Sequence, residues 1–403
     1  MIDIKQKSDC TSCHACYNIC PKNAIKMTED NEGFKYPVID RSLCTKCYLC
    51  DKVCHAKTEN KRKGQFDRPI VVAAQSRDAD IRIASASGGI FSELAKIVLN
   101  QSGYICGAIY DENWMVKHIL TNDENELENI RSSKYLQSDI NLIYKEIEKK
   151  IIEKYKVLVC GSPCQIAGLR AYLKNEYENL ITCDFICRGM NSPKMFRKYI
   201  DSIQGKYKSQ ITKIKFKNKT YGWRNFSTRI DFENGKRYMG RRYEDSYMIG
   251  YLKYNAFMRP SCYDCKFKDL PRYGDLTLAD FWGIEKIDKK LADNRGTSLL
   301  LINSEKGKKI FELIKKRVIY KEIYSDKVFL ENVCMKKSVE MTESRKNVFE
   351  NIDKLSYEEL SNKYFPEPRL IERTIIRVRE TKIIQKLKPI IKPIYVKYKK
   401  KSR

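Results

Sequence analysis

The chain has 403 residues, with 78 Lys and Arg against 51 Asp and Glu, a formal net charge of +27 and 16 cysteines. That length supports a large core and more than one domain. No apolar run reaches the length of a transmembrane helix, and Met1–Cys10 has no apolar signal core, so a cytoplasmic protein is expected. In such a chain clustered thiols point to metal rather than to a disulfide scaffold, while the positive charge points to an anionic partner or to lysines spread over solvated faces.

Composition divides the chain into a cysteine-dense part, residues 1–60, a central part, residues 61–365, and a basic tail, residues 366–403. Lys61-Arg62-Lys63-Gly64 reads as a linker. The first part repeats itself: Cys10-x2-Cys13-x2-Cys16-x3-Cys20-Pro21 returns as Cys44-x2-Cys47-x2-Cys50-x3-Cys54, with a strand-like Tyr36–Ile39 between. This is the two-cluster bacterial ferredoxin pattern, in which three close thiolates cap one [4Fe–4S] cube and the fourth ligates the other. The spacing assigns Cys10, Cys13, Cys16 and Cys54 to one cluster, and Cys44, Cys47, Cys50 and Cys20 to the second. Zinc sites do not need eight cysteines in this phase. His55 stands where the second proline would be, and His14 reads as a hydrogen-bonding neighbour, not a ligand.

The central part reads as α/β, with a mixed sheet and flanking helices, preceded by a small α+β ferredoxin-like domain. A helix is expected over 91–100, strands over 104–110 and 157–160, and a helix over 165–174. A strand over 180–187 then leads through Ser192-Pro193 into a helix to about 203. A hairpin is expected over 231–238, turning at Asn234-Gly235, with further strands over 276–281 and 299–303. Cys164 and Cys187 each follow a strand, and Cys164 opens a helix, whose N-terminus favours a thiolate. With Cys262-x2-Cys265 they make a set able to hold a third [4Fe–4S] cluster, although a lone C-x-x-C is ambiguous between dithiol, zinc and cluster. Cys106, Cys160 and Cys183 read as small buried hydrophobes within strands, and Cys334 as structural.

Several short motifs occur in an order that resembles one family. They are Ser85-Ala-Ser87-Gly88-Gly89, Ser133-Lys134-Tyr135, Gly161-Ser-Pro-Cys164-Gln165, Cys187-x-Gly189, Cys262-x2-Cys265, Gly274-Asp275-Leu-Thr277 and Asp280-Phe-Trp282-Gly283. The chain is similar to the beta subunit of the coenzyme F420 (deazaflavin) hydrogenases and dehydrogenases, in its bacterial form with an N-terminal 2[4Fe–4S] ferredoxin domain. The resemblance implies FAD beside a [4Fe–4S] cluster held by Cys164, Cys187, Cys262 and Cys265. It makes Ser85, Ser87, Gly88, Gly89, Ser133, Lys134 and Tyr135 candidate FAD contacts. Read alone, Ser85–Gly89 is equally a plain helix N-cap with flexible glycines, and Lys134 and Tyr135 are surface residues. Asp280–Gly283 could line the site or cap the core. Arg188 stands where the family often has His, which bears on the substrate more than on the cluster. No G-x-G-x-x-G opens a helix, so direct use of NAD is not expected.

The tail from Arg369 to Arg403 carries 13 basic and 2 acidic residues. It is compatible with an anionic membrane surface, an acidic partner or disorder. No nucleic-acid-binding motif accompanies the charge, so nucleic acid is not expected as a partner. The expectation is therefore an iron–sulfur flavoprotein oxidoreductase. It would pass electrons between a ferredoxin-like partner protein, its clusters and FAD to an organic two-electron acceptor, either a deazaflavin or a polysaccharide-pathway substrate. The alternative is an electron relay serving a partner enzyme, without a substrate of its own. No residue is singled out as catalytic.

Overall fold

The computed structural model describes residues 2–58, 65–324, 326–368 and 372–373. The Lys61–Gly64 linker and nearly all of the basic tail lie outside the described residues. Among the described residues no helix is long and apolar enough to cross a membrane.

The cysteine repeat becomes two equivalent halves. Each runs a cysteine loop into a short helix, Ala15–Ile19 in the first half and Leu49–Lys52 in the second. The antiparallel pair β1 (Ile25–Glu29) and β2 (Lys35–Ile39) lies between them. The repeat extends to backbone angles. Ser12 and Lys46 share φ of 54° and 56°, and His14 and Tyr48 share 60° and 59°. Left-handed residues at these positions curl each loop tightly around its cysteines.

The central part is built on an eight-stranded sheet. Its strands in chain order are β3 (Ile70–Ser76), β4 (Tyr104–Tyr110), β5 (Val116–Thr121), β6 (Val157–Cys160) and β7 (Leu180–Phe185). A separate three-stranded sheet follows: β8 (Ile211–Asn218), β9 (Ser227–Phe232) and β10 (Arg237–Arg241). The large sheet then closes with β11 (Leu276–Asp280), β12 (Ser298–Ile302) and β13 (Val318–Glu322). The spatial order in the large sheet is β13-β3-β12-β11-β7-β6-β4-β5. The middle four strands, β11, β7, β6 and β4, are parallel, and every other pairing is antiparallel. The fold is thus the mixed α/β sheet that alternation along the chain suggests. The expected hairpin is β9–β10, with Arg237 opposite Asp231.

Apolar residues on the two faces of the large sheet enter separate cores. Helices Ile90–Leu99 and Glu305–Ile314 cover one face, packing on Ile105, Leu158 and Leu300. Helices Ile143–Ile152 and Pro163–Leu173 cover the other, packing on Cys106, Val157 and Val159. The helix Pro193–Tyr207 joins the three-stranded sheet in a further core, rich in aromatic residues.

Two buried carboxylates hold the parallel strands in register. Asp275 accepts from the Thr182 amide (2.8 Å) and hydroxyl (2.7 Å), and from the Ser304 hydroxyl (2.7 Å). Asp184 accepts from Arg272 (3.1 Å), the Thr277 hydroxyl (2.6 Å) and the amides of Tyr273 and Gly274. The Gly274–Thr277 motif is therefore a scaffold that ties β11 to β7.

The ferredoxin-like part is packed onto the central part. Arg259, fully buried, donates from Nε to the Cys10 carbonyl (2.7 Å), from Nη1 to Gln137 (3.0 Å) and from Nη2 to the Lys35 carbonyl (3.1 Å). Its guanidinium also lies 4.2 Å from the centre of the Tyr36 ring. Arg345 pairs with Glu32 at 2.5 Å. On the helix Pro163–Leu173, Gly168 leaves room for Cys13: a Cβ there would fall 2.9 Å from the Cys13 Cβ.

Candidate functional site

The cysteines gather into three sets. Cys20, Cys44, Cys47 and Cys50 line one small hollow. Cys10, Cys13, Cys16 and Cys54 form a second set: burial pushes the Cys16 thiol well up, and charges on Cys13, Cys10 and Cys54 push it further. Cys164, Cys187, Cys262 and Cys265 line a third hollow, floored by Arg272. Among the described residues no three His, Cys, Asp or Glu side chains converge as they would around one metal ion, so the thiols are spread around small spaces. Backbone amides point at the sulfurs: Ser12 N–H to Cys10 (3.4 Å), Ala24 N–H to Cys20 (3.2 Å) and Met190 N–H to Cys262 (3.4 Å). Donors of this kind stabilise the thiolates of a cluster.

The third hollow sits at the carboxyl ends of β6 and β7, the usual place for a site in a parallel sheet. The capping box of Ser162 and Gln165 starts the helix at Pro163, which brings Cys164 to its first turn. The helix start alone does not make a thiolate there. Burial pushes Cys164 well up against the opposing Ser162 hydroxyl, 3.1 Å from Sγ, and Cys265, Cys187 and Cys262 add repulsion. Cys262 is pushed up to about 11 and Cys187 to about 12, again chiefly by burial. Such a set needs a nearby metal cation to stay deprotonated. Among the described residues no carboxylate lines the hollow, and its four clustered thiols, with Cys334 on the wall beside them, suit a thiolate-bound cluster.

The sets lie in series. Cys16, Cys20, Cys50 and Cys54 share one apolar cluster within the first domain. Cys13 packs with Cys164 and Cys265 in the core over the large sheet, and Thr11 lines the third hollow. His55 is half-buried with its ring 5.0 Å from Phe267, and hydrogen bonds to the Cys164 backbone. His14 stays neutral, lowered to about 4 by burial against the favourable charge of Asp139, 3.5 Å away.

Beyond the third hollow opens a cavity of 610 Å³ between the large sheet and the three-stranded sheet. Cofactor pockets span about 300–1,000 Å³. The two spaces share a wall, Cys187-Arg188-Gly189-Met190, together with Cys334. Of the candidate FAD contacts, Ser85, Ser87, Gly89, Ser133, Lys134 and Tyr135 line this cavity, and Gly88 does not. Gly88 instead lets β3 and β12 close in, since a Cβ would fall 2.3 Å from the Ala74 carbonyl. The Ser85 hydroxyl turns back to the Ile81 carbonyl (2.7 Å), and Ser87 donates to Thr297 (2.8 Å). Lys134 and Tyr135 are half-buried in the wall, not on the surface. Burial lowers Lys134 to about 7, and Nζ is 3.2 Å from the Ile130 carbonyl. Asp280 both lines the cavity and anchors its rim, accepting from Lys217 and from the Trp223 indole at 2.8 Å each, while Trp282 stacks on Trp223 at 4.8 Å.

Four buried polar atoms on this wall have no partner among the described residues: Arg131 Nε, Ser132 Oγ, Arg188 Nε and His118 Nδ1. Orphaned polar atoms are costly unless a ligand satisfies them. Arg131, Lys134, Arg188, Lys217 and Arg242 give the cavity a cationic lining, which suits a phosphorylated group. Lys217 and Arg242 carry no local sequence signal, because they enter the site only through the second sheet. Cys160 lines the cavity at the end of β6, whereas Cys106 and Cys183 are fully buried in strands as expected. Cys334 stands on the shared wall, with Sγ 3.9 Å from the Arg188 guanidinium.

His118 gives a pH signature. Burial lowers it to about 4 from 6.5, and Nε2 lies 3.2 Å from the Cys160 carbonyl. The unfolded chain takes up this proton at a higher pH than the folded one. Its contribution is therefore complete above pH 6.5 and is lost as pH falls towards 4. Between pH 6.5 and 5 the loss is about 2 kcal/mol. Urea unfolding of the holoprotein should show this extra acid sensitivity relative to His118→Gln, and parallel pH profiles would refute it.

The fold and its thiol sets define an iron–sulfur electron-transfer protein. Residues 154–327 match the family described as the C terminus of the coenzyme F420 hydrogenase/dehydrogenase beta subunit, and residues 9–58 match the 4Fe-4S dicluster domain. The chain thus carries a region similar to the C terminus of that beta subunit, preceded by a region similar to a dicluster domain. A solved structure of the F420-reducing [NiFe] hydrogenase complex from Methanosarcina barkeri is similar over 77% of this chain and 99% of that chain. The identity is 16% and the TM-score 0.45. No curated protein matches the chain.

Proposed function

We propose that the chain is an FAD-containing iron–sulfur oxidoreductase that exchanges electrons with a redox partner protein and an organic two-electron compound. The observation that carries this reading is the wall Cys187–Met190, common to the third thiol hollow and the large cavity. Cys10, Cys13, Cys16 and Cys54 would hold the proximal cluster, and Cys44, Cys47, Cys50 and Cys20 the distal one. Cys164, Cys187, Cys262 and Cys265 would hold a third. FAD, when bound, exchanges single electrons with clusters and electron pairs with organic molecules.

The chain's own residues supply position and charge. Ser133, Lys134 and Tyr135 with Ser85, Ser87 and Gly89 would contact the flavin, and the unpartnered Arg131 and Ser132 atoms offer donors to its phosphates. Arg188, on the shared wall, places a fixed positive charge between the thiols and the cavity. The matched family is named for a subunit of hydrogenases and dehydrogenases, which supports a partner subunit or carrier. The acceptor class, a deazaflavin or a polysaccharide-pathway compound, rests on family likeness.

Anaerobic purification with iron, sulfide and flavin assays tests the reading. About 12 irons and one FAD per chain are expected from three four-iron clusters. About 8 irons without flavin would instead favour an electron relay with no substrate of its own. Lys134→Met should weaken flavin retention about tenfold, the loss of one charge-assisted contact, as read by equilibrium dialysis. Unchanged retention would remove Lys134 from the flavin site.

A further inference from the structure

The two halves of the dicluster domain are equivalent in sequence and in backbone, yet their surroundings are opposite. In the first half, Ser12 and His14 are buried at 3% and 2% exposure, and Cys13 is pressed onto the helix Pro163–Leu173. In the second half the equivalent residues, Lys46, Cys47 and Tyr48, are all exposed. Of the 16 cysteines only Cys47 is exposed. The face that the first half uses to dock on its own chain is open in the second.

That open face has the composition of an interface. Val38, Leu43 and Tyr48 expose 52%, 49% and 52% of their surfaces. Lys22, Arg41, Lys46 and Lys52 are exposed in the same part of the chain, Lys22 lining the hollow beside Tyr48. Of the carboxylates nearby, Asp51 pairs with Lys57 at 2.7 Å, Asp40 accepts from the Ser42 amide (3.0 Å) and hydroxyl (2.6 Å), and Asp3 lies on the Lys57 side. The surface thus offers an apolar centre within a cationic rim, above the thiol set nearest to solvent. An exposed positive rim steers and selects a negative partner.

We infer that the face around Cys47, with Arg41, Lys46 and Tyr48, is the docking site for a small acidic one-electron carrier protein. The inference rests on the reading of the dicluster domain as the port for electrons. It is independent of the flavin, because the face lies on the first domain alone.

The test is a calorimetric titration of the cluster-loaded full chain with an oxidised, acidic 2[4Fe–4S] ferredoxin at low and at moderate salt. Binding should weaken at least tenfold as salt rises. The Arg41→Glu/Lys46→Glu variant should bind at least tenfold more weakly than the native chain at low salt, with its iron content and visible spectrum unchanged. Lys309→Glu, an exposed change on the helix Glu305–Ile314 over the large sheet, should bind as the native chain does. Salt-independent binding, no binding at low salt, or equal binding by the double variant would overturn the inference. So would self-association of the chain through this face, seen by light scattering and abolished in the double variant. If the double variant loses iron, the salt dependence of the native chain decides alone. The titration needs neither flavin nor substrate, so a flavin-free protein that binds the carrier leaves this inference standing while the reading of the large cavity falls.

Discussion

Replacing Cys262 by Ser is expected to remove the proposed third cluster and leave the two of the first domain intact. Iron should fall from about 12 to about 8 per chain, since each cube needs its four thiolates. The eight thiols of the first domain stand apart from this hollow and keep their amide donors, so their low-temperature spectra should persist after reduction. Carrier-driven turnover should cease, because the third hollow borders both Thr11 of the first domain and the wall Cys187–Met190 of the large cavity. Cys183→Ser is the control. Cys183 is fully buried in β7 and faces no hollow, so that change should cost stability and no iron. Retention of about 12 irons by the Cys262 variant would move the third site elsewhere.

The second large effect is on stability. Asp184→Ala should destabilise the chain by about 3–5 kcal/mol, the cost of leaving a buried ion without its partner. Arg272, 1% exposed, would lose its carboxylate, and the amides of Tyr273 and Gly274 would lose their acceptor. The urea midpoint of the holoprotein measures the loss. Because Arg272 also donates to the Phe267 carbonyl (3.2 Å) and lines the third hollow, the loop bearing Cys262 and Cys265 should slacken, and the third cluster should become easier to extract with a chelator. A change below about 1 kcal/mol, the scale of a surface substitution, would contradict the assigned role.

The sequence pattern conveyed the parts of the site that are made locally. Val157–Cys160 and Tyr104–Tyr110 are short apolar runs, and both are strands with those bounds. The helix expected over 165–174 runs Pro163–Leu173, its start moved two residues earlier by the Ser162–Gln165 capping box that brings Cys164 into its first turn. What could not be read locally is what long-range pairing creates. Lys217 reaches the cavity from β8, while the strand end that anchors it, Asp280, is 63 residues further on. Lys134 and Tyr135 look like surface residues in a polar stretch, and become wall because the chain returns across the end of the sheet. Cys334 lies in a segment with no clear period, so nothing marked its place beside Arg188.

The grip of Arg259 on the first domain bears on how the two parts meet. Its three hydrogen bonds cross between the two parts of the chain or brace the contact. A freely tethered ferredoxin must diffuse to its target at every turnover, so its speed follows solvent viscosity. Here that search is finished at folding. Without the first domain Arg259 would keep Gln137 and lose the Cys10 and Lys35 carbonyls, so the two parts stay in one fixed relation for as long as the chain is folded.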